Sequence, residues 1–274
     1  MTALGSLSTL SQSVYLSCLN RLAQFFGAKE AALCPWEKMQ PSHVAALRAW
    51  LKHSYSPSTV NVHLSALACI VKACWRQSLI TAEQRDKLLD FKREQGTREL
   101  AGRALTNAEI AALFESCKDR REVAMLAVLY SCGLRRTELA SLKLSDLRGA
   151  ELRVIGKRDK ERKIFLNLKA RAYVEAYLEE RGAEPGPLFM KGDGTEFSDK
   201  AIYRLCKRLH RRAGVSAFTP HDLRRSMVSN LLDAGVDLPT VQGIAGHATP
   251  QMTARYDRRK DIVKQKASEL LFVP

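Results

Sequence analysis

No apolar run in this sequence approaches the ~20 consecutive residues that a membrane-spanning helix requires; stretches such as Val123–Leu129 fall far short. The first residues, MTALGSLSTLSQS, lack the basic start and apolar core of a secretory signal. Paired cysteine spacings are also missing. The cysteines (Cys18, Cys34, Cys69, Cys74, Cys117, Cys132 and Cys206) are odd in number, never form CxxC, and lie mostly inside apolar helical patterns. That points to reduced, buried thiols rather than disulfides or a zinc site. Motifs of nucleotide and metal chemistry are absent too: there is no GxGxxG and no HExxH, and Gly149 and Gly156 are wrongly spaced for a Walker A loop. The carboxylates are scattered, without the acidic cluster a two-metal nuclease needs. The expectation is a soluble, cytoplasmic chain, nucleoid-associated in a bacterial host, with no cofactor, no metal and no membrane partner.

Positive charge is what the sequence has in excess. Forty-four Lys and Arg stand against 29 Asp and Glu, a net +15 and a pI near 9.7. The 46% hydrophobic and 27% charged residues are those of a globular protein. At roughly 100–200 residues per domain, 274 residues suggest two domains. Residues 1–95 carry +5 and the remainder +10, so the surplus belongs to both halves. A surplus of that size outside a low-complexity tail favours a polyanionic partner, nucleic acid foremost.

Residues 1–92 read as a small helical bundle. Tyr15, Leu16, Leu19, Leu22 and Phe25 follow helical spacing, as do Val44, Leu47 and Leu51. Ser56-Pro57 is a cap followed by proline at the first helical position, opening a helix with Val60, Leu64, Leu67, Ile70, Val71 and Cys74 on its apolar side. FKREQGTRELAGRAL (91–105) breaks the pattern with two glycines and the cations Lys92, Arg93, Arg98 and Arg103. A linker is expected over 93–105 and a second domain over 106–274. That domain restarts with a Thr106–Glu109 capping box. Helices are expected at about 107–117, 121–131, 169–181, 199–213, 221–234, 238–244 and 250–256, with a last one to about 270. ELRVI (151–155) and RKIFL (162–166) alternate as two strands around the turn GKRDKE. The expected class is mainly α with a small antiparallel β-hairpin or sheet.

The second domain gathers cations, histidines and one tyrosine. GLRRTEL (133–139) puts a glycine-broken turn and Arg135 before a helix. Gly156-Lys157 stands at the hairpin tip, and Pro220-His221-Asp222-Leu223-Arg224 starts a helix with His221 and Arg224 on one face. Gly246-His247 closes a loop, and Tyr256 follows nine residues later in RYDRR. In order, spacing and context this set resembles the tyrosine recombinase (lambda-integrase-like, phage integrase) family. The resemblance spans essentially the whole chain, because a helical (SAM-like) core-binding domain precedes the catalytic domain in that family.

The resemblance implies a site-specific recombinase that cuts and rejoins double-stranded DNA through a 3′-phosphotyrosyl intermediate and a Holliday junction. The implied assembly is a homotetramer on two DNA sites, weakly associated or monomeric without DNA. Arg135 and Arg224 would clamp the charge growing on the non-bridging phosphate oxygens, a task that suits bidentate guanidiniums. Tyr256 would be the nucleophile, His221 would assist proton transfer, and His247 would hydrogen-bond the phosphate. Lys157 becomes the general acid by the resemblance alone, and Glu138 would orient the clamp. In 198–214, Lys200, Arg204, Lys207, Arg208 and Arg211 line one helix face opposite Ile202, Leu205, Cys206 and Leu209; with Lys92, Arg93, Arg98 and Arg103 they are the candidate DNA contacts.

Ala245 replaces a frequent leucine before Gly-His, and Arg225 a frequent histidine after HDLR. Neither departure removes a catalytic group. The RYDRR ending and the short amino domain resemble mobile-element recombinases more than Xer recombinases. Type IB topoisomerase-like relaxation and Xer-like chromosome or plasmid dimer resolution are the alternative activities. An inactive DNA-binding relative conflicts with the filled catalytic positions, and an RNA-binding module leaves their spacing unexplained.

Overall fold

Local capping chemistry marks the helix starts in the amino-terminal half. Helix α1 (Thr9–Phe25) is followed by α2 (Pro41–Ser54), α3 (Pro57–Arg76) and α4 (Ala82–Leu89). Pro41 and Pro57 occupy first turns, where a missing N–H leaves no bond unmade. Ser56 Oγ accepts the Thr59 N–H at 3.4 Å, and Thr81 and Gln84 form a reciprocal box at 3.1 and 2.8 Å. Leu19, Leu22, Leu47, Leu51, Leu64 and Leu67 are each no more than 3% exposed; fully burying one leucine contributes roughly 1.5–3 kcal/mol. The structure, a computed structural model, describes residues 9–96, 102–156, 160–257 and 268–269. It divides into two compact units, Met1–Glu99 and Leu100–Pro274.

The first residues of the expected linker are fastened to the amino-terminal unit. The Glu94 carboxylate pairs with Arg48 at 2.7 Å and Lys52 at 2.9 Å, and its N–H and C=O each bond the Asn61 side chain at 2.9 Å.

The second unit is built around α6 (Arg120–Ser131), in which the six residues Ala124–Leu129 are each no more than 2% exposed. A helix apolar on every side has to be surrounded. Around it stand α5 (Asn107–Glu115), α7 (Arg136–Ser141), α8 (Leu168–Arg181), α9 (Asp199–Ala213) and α10 (Pro220–Asp233). A three-stranded antiparallel sheet of β1 (Leu147–Arg148), β2 (Glu151–Ile155) and β3 (Glu161–Phe165) adds Leu152, Val154 and Ile164 to the core. Its register pairs Leu152 with Ile164 and Ile155 with Glu161. A smaller cluster holds Met227, Val228 and Leu232 of α10, Val241 and Ala245 of α11 (Leu238–Ala245), and Tyr256.

Some boundaries differ from the sequence reading. β3 begins one residue early, α5 stops at Glu115, and β1, at two residues, is too short to show alternation. Helix α12 (Pro250–Ala254) ends early, so Tyr256 stands just beyond it, its N–H donating to the Thr253 carbonyl at 2.9 Å. The expected last helix falls almost wholly outside the described residues.

All seven cysteines are free, five of them buried. Burial pushes the Cys132 thiol up to about 11 and those of Cys117 and Cys206 up to about 12. Among the described residues no helix is long and apolar enough to cross a membrane.

Candidate active site

The site is assembled where α6 ends, α7 and α10 begin, and α11 turns into α12. Gly133 follows α6 at φ +56°, a conformation only glycine adopts without cost, and a Cβ there would collide with the Met227 methyl. This tight turn aims the Gly133 carbonyl at α10, where it accepts Arg224 Nη1 at 2.7 Å. Arg224 is 2% exposed, and its Nη2 is buried with no hydrogen-bond partner among the described residues. Burial, then the neighbouring Arg135, push Arg224 down to about 10, against the pull of Glu138 and Tyr256.

Two residues after Gly133, Arg135 caps α7. Its N–H donates to Glu138 Oε2 at 2.9 Å, its Nη1 to Glu138 Oε1 at 2.7 Å, and its Nη2 to the Gly246 carbonyl at 2.9 Å. Glu138 is 4% exposed. Burial pushes its carboxyl upward, but the bonds from Arg162 and Arg135 outweigh this and hold it below the usual carboxylate range.

His247 follows Gly246 and is buried, with Nδ1 2.8 Å from Thr253 Oγ1. Its ring stacks on that of Tyr256, centroids 5.9 Å apart at 21°. Burial first, then Arg224 and Arg135, push His247 down to about 4, so the imidazole is neutral at pH 7. His221 has an exposed edge, yet desolvation of its packed side, followed by Arg224 and Arg225, also lowers its pKa. The Arg225 guanidinium lies 5.4 Å from the Tyr256 ring centroid. A cleft of about 330 Å³ beside this cluster is lined by Arg135, Arg136, Tyr203, His221 and Arg224.

Arg135, Glu138, His221, Arg224, His247 and Tyr256 are thus brought together, while Lys157 lies outside the described residues. Cations crowded at a buried site with an unpartnered guanidinium nitrogen suit an anion with several acceptor oxygens. The sequence profile of the Phage integrase family matches residues 103–261. The chain belongs to that family. It is a tyrosine recombinase, an enzyme that breaks and rejoins DNA. It is 32% identical over 223 residues to Tyrosine recombinase XerD of Pseudomonas putida, covering 76% of this chain and 74% of that protein. Its fold resembles the Tn1549 transposon integrase solved with transposon right-end DNA, at TM-score 0.73, 18% identity and 96% and 95% coverage. A lambda integrase tetramer solved on a Holliday junction superposes at TM-score 0.73, 17% identity, covering 93% of the recombinase and 74% of that chain.

Sequence reasoning missed Arg162, Thr253 and the placement of Arg225. Arg162 had a visible signal: period-two alternation puts it on the same face of β3 as the buried Ile164. Thr253 and Arg225 had none, because their roles arise from contacts between separate elements. Among the candidate DNA contacts, Lys200, Arg204, Lys207, Arg208 and Arg211 are exposed along α9, as are Lys92 and Arg93, and Arg98 lies outside the described residues. The Arg103 side chain is 34% exposed, and its guanidinium bonds Glu109 at 2.7 Å and the Ser216 carbonyl at 3.0 Å within the second unit.

Proposed function

We propose that the recombinase cuts each strand by in-line attack of the Tyr256 hydroxyl on a DNA phosphorus. The new O–P bond makes a 3′-phosphotyrosyl link, and the departing strand leaves as a 5′-hydroxyl. The observation that carries this reading is the buried Nη2 of Arg224, unpartnered among the described residues, beside an Arg135 whose own charge is already anchored. Two such donors stabilise the extra negative charge of the transition state. Neutral His221 receives the phenol proton, and His247 donates to a non-bridging oxygen. Lys157, in the chain between β2 and β3, protonates the leaving oxygen. The tyrosyl ester replaces the ester that is broken, so attack by another strand's 5′-hydroxyl on the phosphorus reseals the backbone and releases the Tyr256 phenol. Strand exchange proceeds on two duplex sites held by a homotetramer through a Holliday junction, with residues 1–92 and 106–274 as core-binding and catalytic domains and α9 along the phosphates.

A duplex nicked beside the scissile phosphate, so that the cut end diffuses away, should trap the wild-type chain covalently. Tyr256→Phe should bind the same duplex with unchanged affinity and give no adduct; an undiminished adduct would remove Tyr256 as nucleophile.

We assign the activity to movement of a mobile element, on the strength of the RYDRR ending. The identity with XerD favours a second reading, dimer resolution at a chromosomal or plasmid site. Plasmids carrying the DNA that flanks the gene, and plasmids carrying the host's dimer-resolution site, separate the two: recombination of only the second kind overturns the assignment.

A further inference from the structure

Arg162 is a strand cation pointing the wrong way. Lys163 beside it is exposed, whereas the Arg162 side chain, on the Ile164 face of β3, is 12% exposed. A guanidinium withdrawn from water is costly unless its donors are satisfied. Here Nη1 and Nη2 donate to the two oxygens of Glu138 at 3.0 and 2.8 Å, and Nε donates to the Ile244 carbonyl at 3.1 Å. Gly246, at φ +63°, sits so close that a Cβ on it would be 3.1 Å from Arg162 Nε. Both partners of Arg162 also hold the clamp. Glu138 receives two bonds from Arg135, and the end of α11 supplies the Gly246 carbonyl to Arg135 Nη2 before continuing into His247. The hairpin is attached at the same point: the Gly156 N–H bonds the Lys160 carbonyl at 2.8 Å, and a Cβ on Gly156 would lie 3.5 Å from Arg162 Nη1. The Arg135 side chain is 31% exposed, and every hydrogen bond of its guanidinium runs to a group gripped by Arg162 or next to one.

We propose that Arg162 is a positioning residue of the cleavage reaction, fixing Arg135 through Glu138 and His247 through the end of α11 from a strand that roots the β2–β3 hairpin. This rests on Arg135 and His247 being phosphate ligands. The test uses the full chain, the nicked duplex, single-turnover adduct formation and a separate binding titration. Arg162→Gln should slow adduct formation about 10- to 100-fold, short of the ~10²–10³ of a lost direct donor, with affinity within about threefold of wild type. Arg162→Lys, which keeps the charge, should recover part of that rate. Because Arg162 fixes Arg135 through Glu138, the double variant with Glu138→Gln should be slowed by less than the product of the two single defects. A wild-type rate for Arg162→Gln, defects that multiply in the double variant, or equal defects for Gln and Lys would each overturn the proposal. If Arg162→Gln does not fold, Arg162→Lys with Glu138→Gln completes the same cycle. Failure of the underlying reading is separate: the wild-type chain would then form no Tyr256 adduct.

Discussion

At the scale of single residues, the cluster works by keeping ionisable groups from their ordinary states. His247 in the folded chain titrates at about 4, against ~6.5 for an unperturbed imidazole. Between those values the unfolded chain binds a proton that the folded chain refuses, so stability rises with pH through the window and the contribution is complete above ~6.5. His221 is shifted in the same direction. Melting temperatures should therefore fall as pH is lowered from 6.5 towards 4, and His247→Gln should flatten that fall; an unchanged slope would assign the acid sensitivity elsewhere. Glu138, whose folded value is lowered, loses its contribution only at lower pH, as the carboxyl protonates. Lys157 calls for a chemical test. If it protonates the 5′-oxygen, a substrate with sulfur at that bridging position needs no acid, because a thiolate leaves unaided. Lys157→Ala should be slow on normal DNA, by ~10²–10⁴-fold as for loss of a general acid, and close to wild type on the sulfur substrate. Equal defects on both substrates would leave Lys157 as a binding group only.

At the scale of elements, the turn from α6 into α7 sets the clamp, since one glycine both ends a helix and presents the carbonyl that holds Arg224. Gly133→Ala should destabilise the fold by about 1–2 kcal/mol, the cost of a left-handed alanine, and slow adduct formation as the Arg224 anchor shifts. Urea denaturation and single-turnover cleavage measure the two effects, and no change in either would mean the turn tolerates a side chain. Helix starts such as Ser56-Pro57 and the Thr106 box were legible in the sequence because capping is a local affair of three or four residues. The face of α9 was legible for the same reason, its charges and apolar residues dividing cleanly by helical period. β1 was not, since its two residues span a single strand period and show no repeat. Among the site residues, those carried by a short motif could be read; for Arg162 the strand alternation showed only which face it takes, its partners emerging once β3, α7 and α11 were side by side, and Thr253 of α12 emerged only beside His247.

At the scale of the whole molecule, a basic surplus shared by both halves is expected to act on one duplex. Each phosphate neutralised steepens the fall of log affinity with log salt by about 0.9. A fragment spanning 96–274, which retains the buried cluster around α6, should bind more weakly and with a shallower salt slope than the full chain. Equal slopes would remove the amino-terminal bundle from the DNA-binding surface. The fastening of Glu94 to α2 and α3 and of Arg103 to α10 leaves each unit its own attachment to the chain between them. One further property follows from the distribution of sulfur. Cys132, wholly buried, immediately precedes the glycine turn beneath the arginine clamp, whereas Cys69 and Cys117 are partly accessible. A thiol reagent therefore meets two kinds of target, and slow labelling of Cys132, told apart from the other buried thiols by peptide mapping, should report transient opening beneath the arginine clamp.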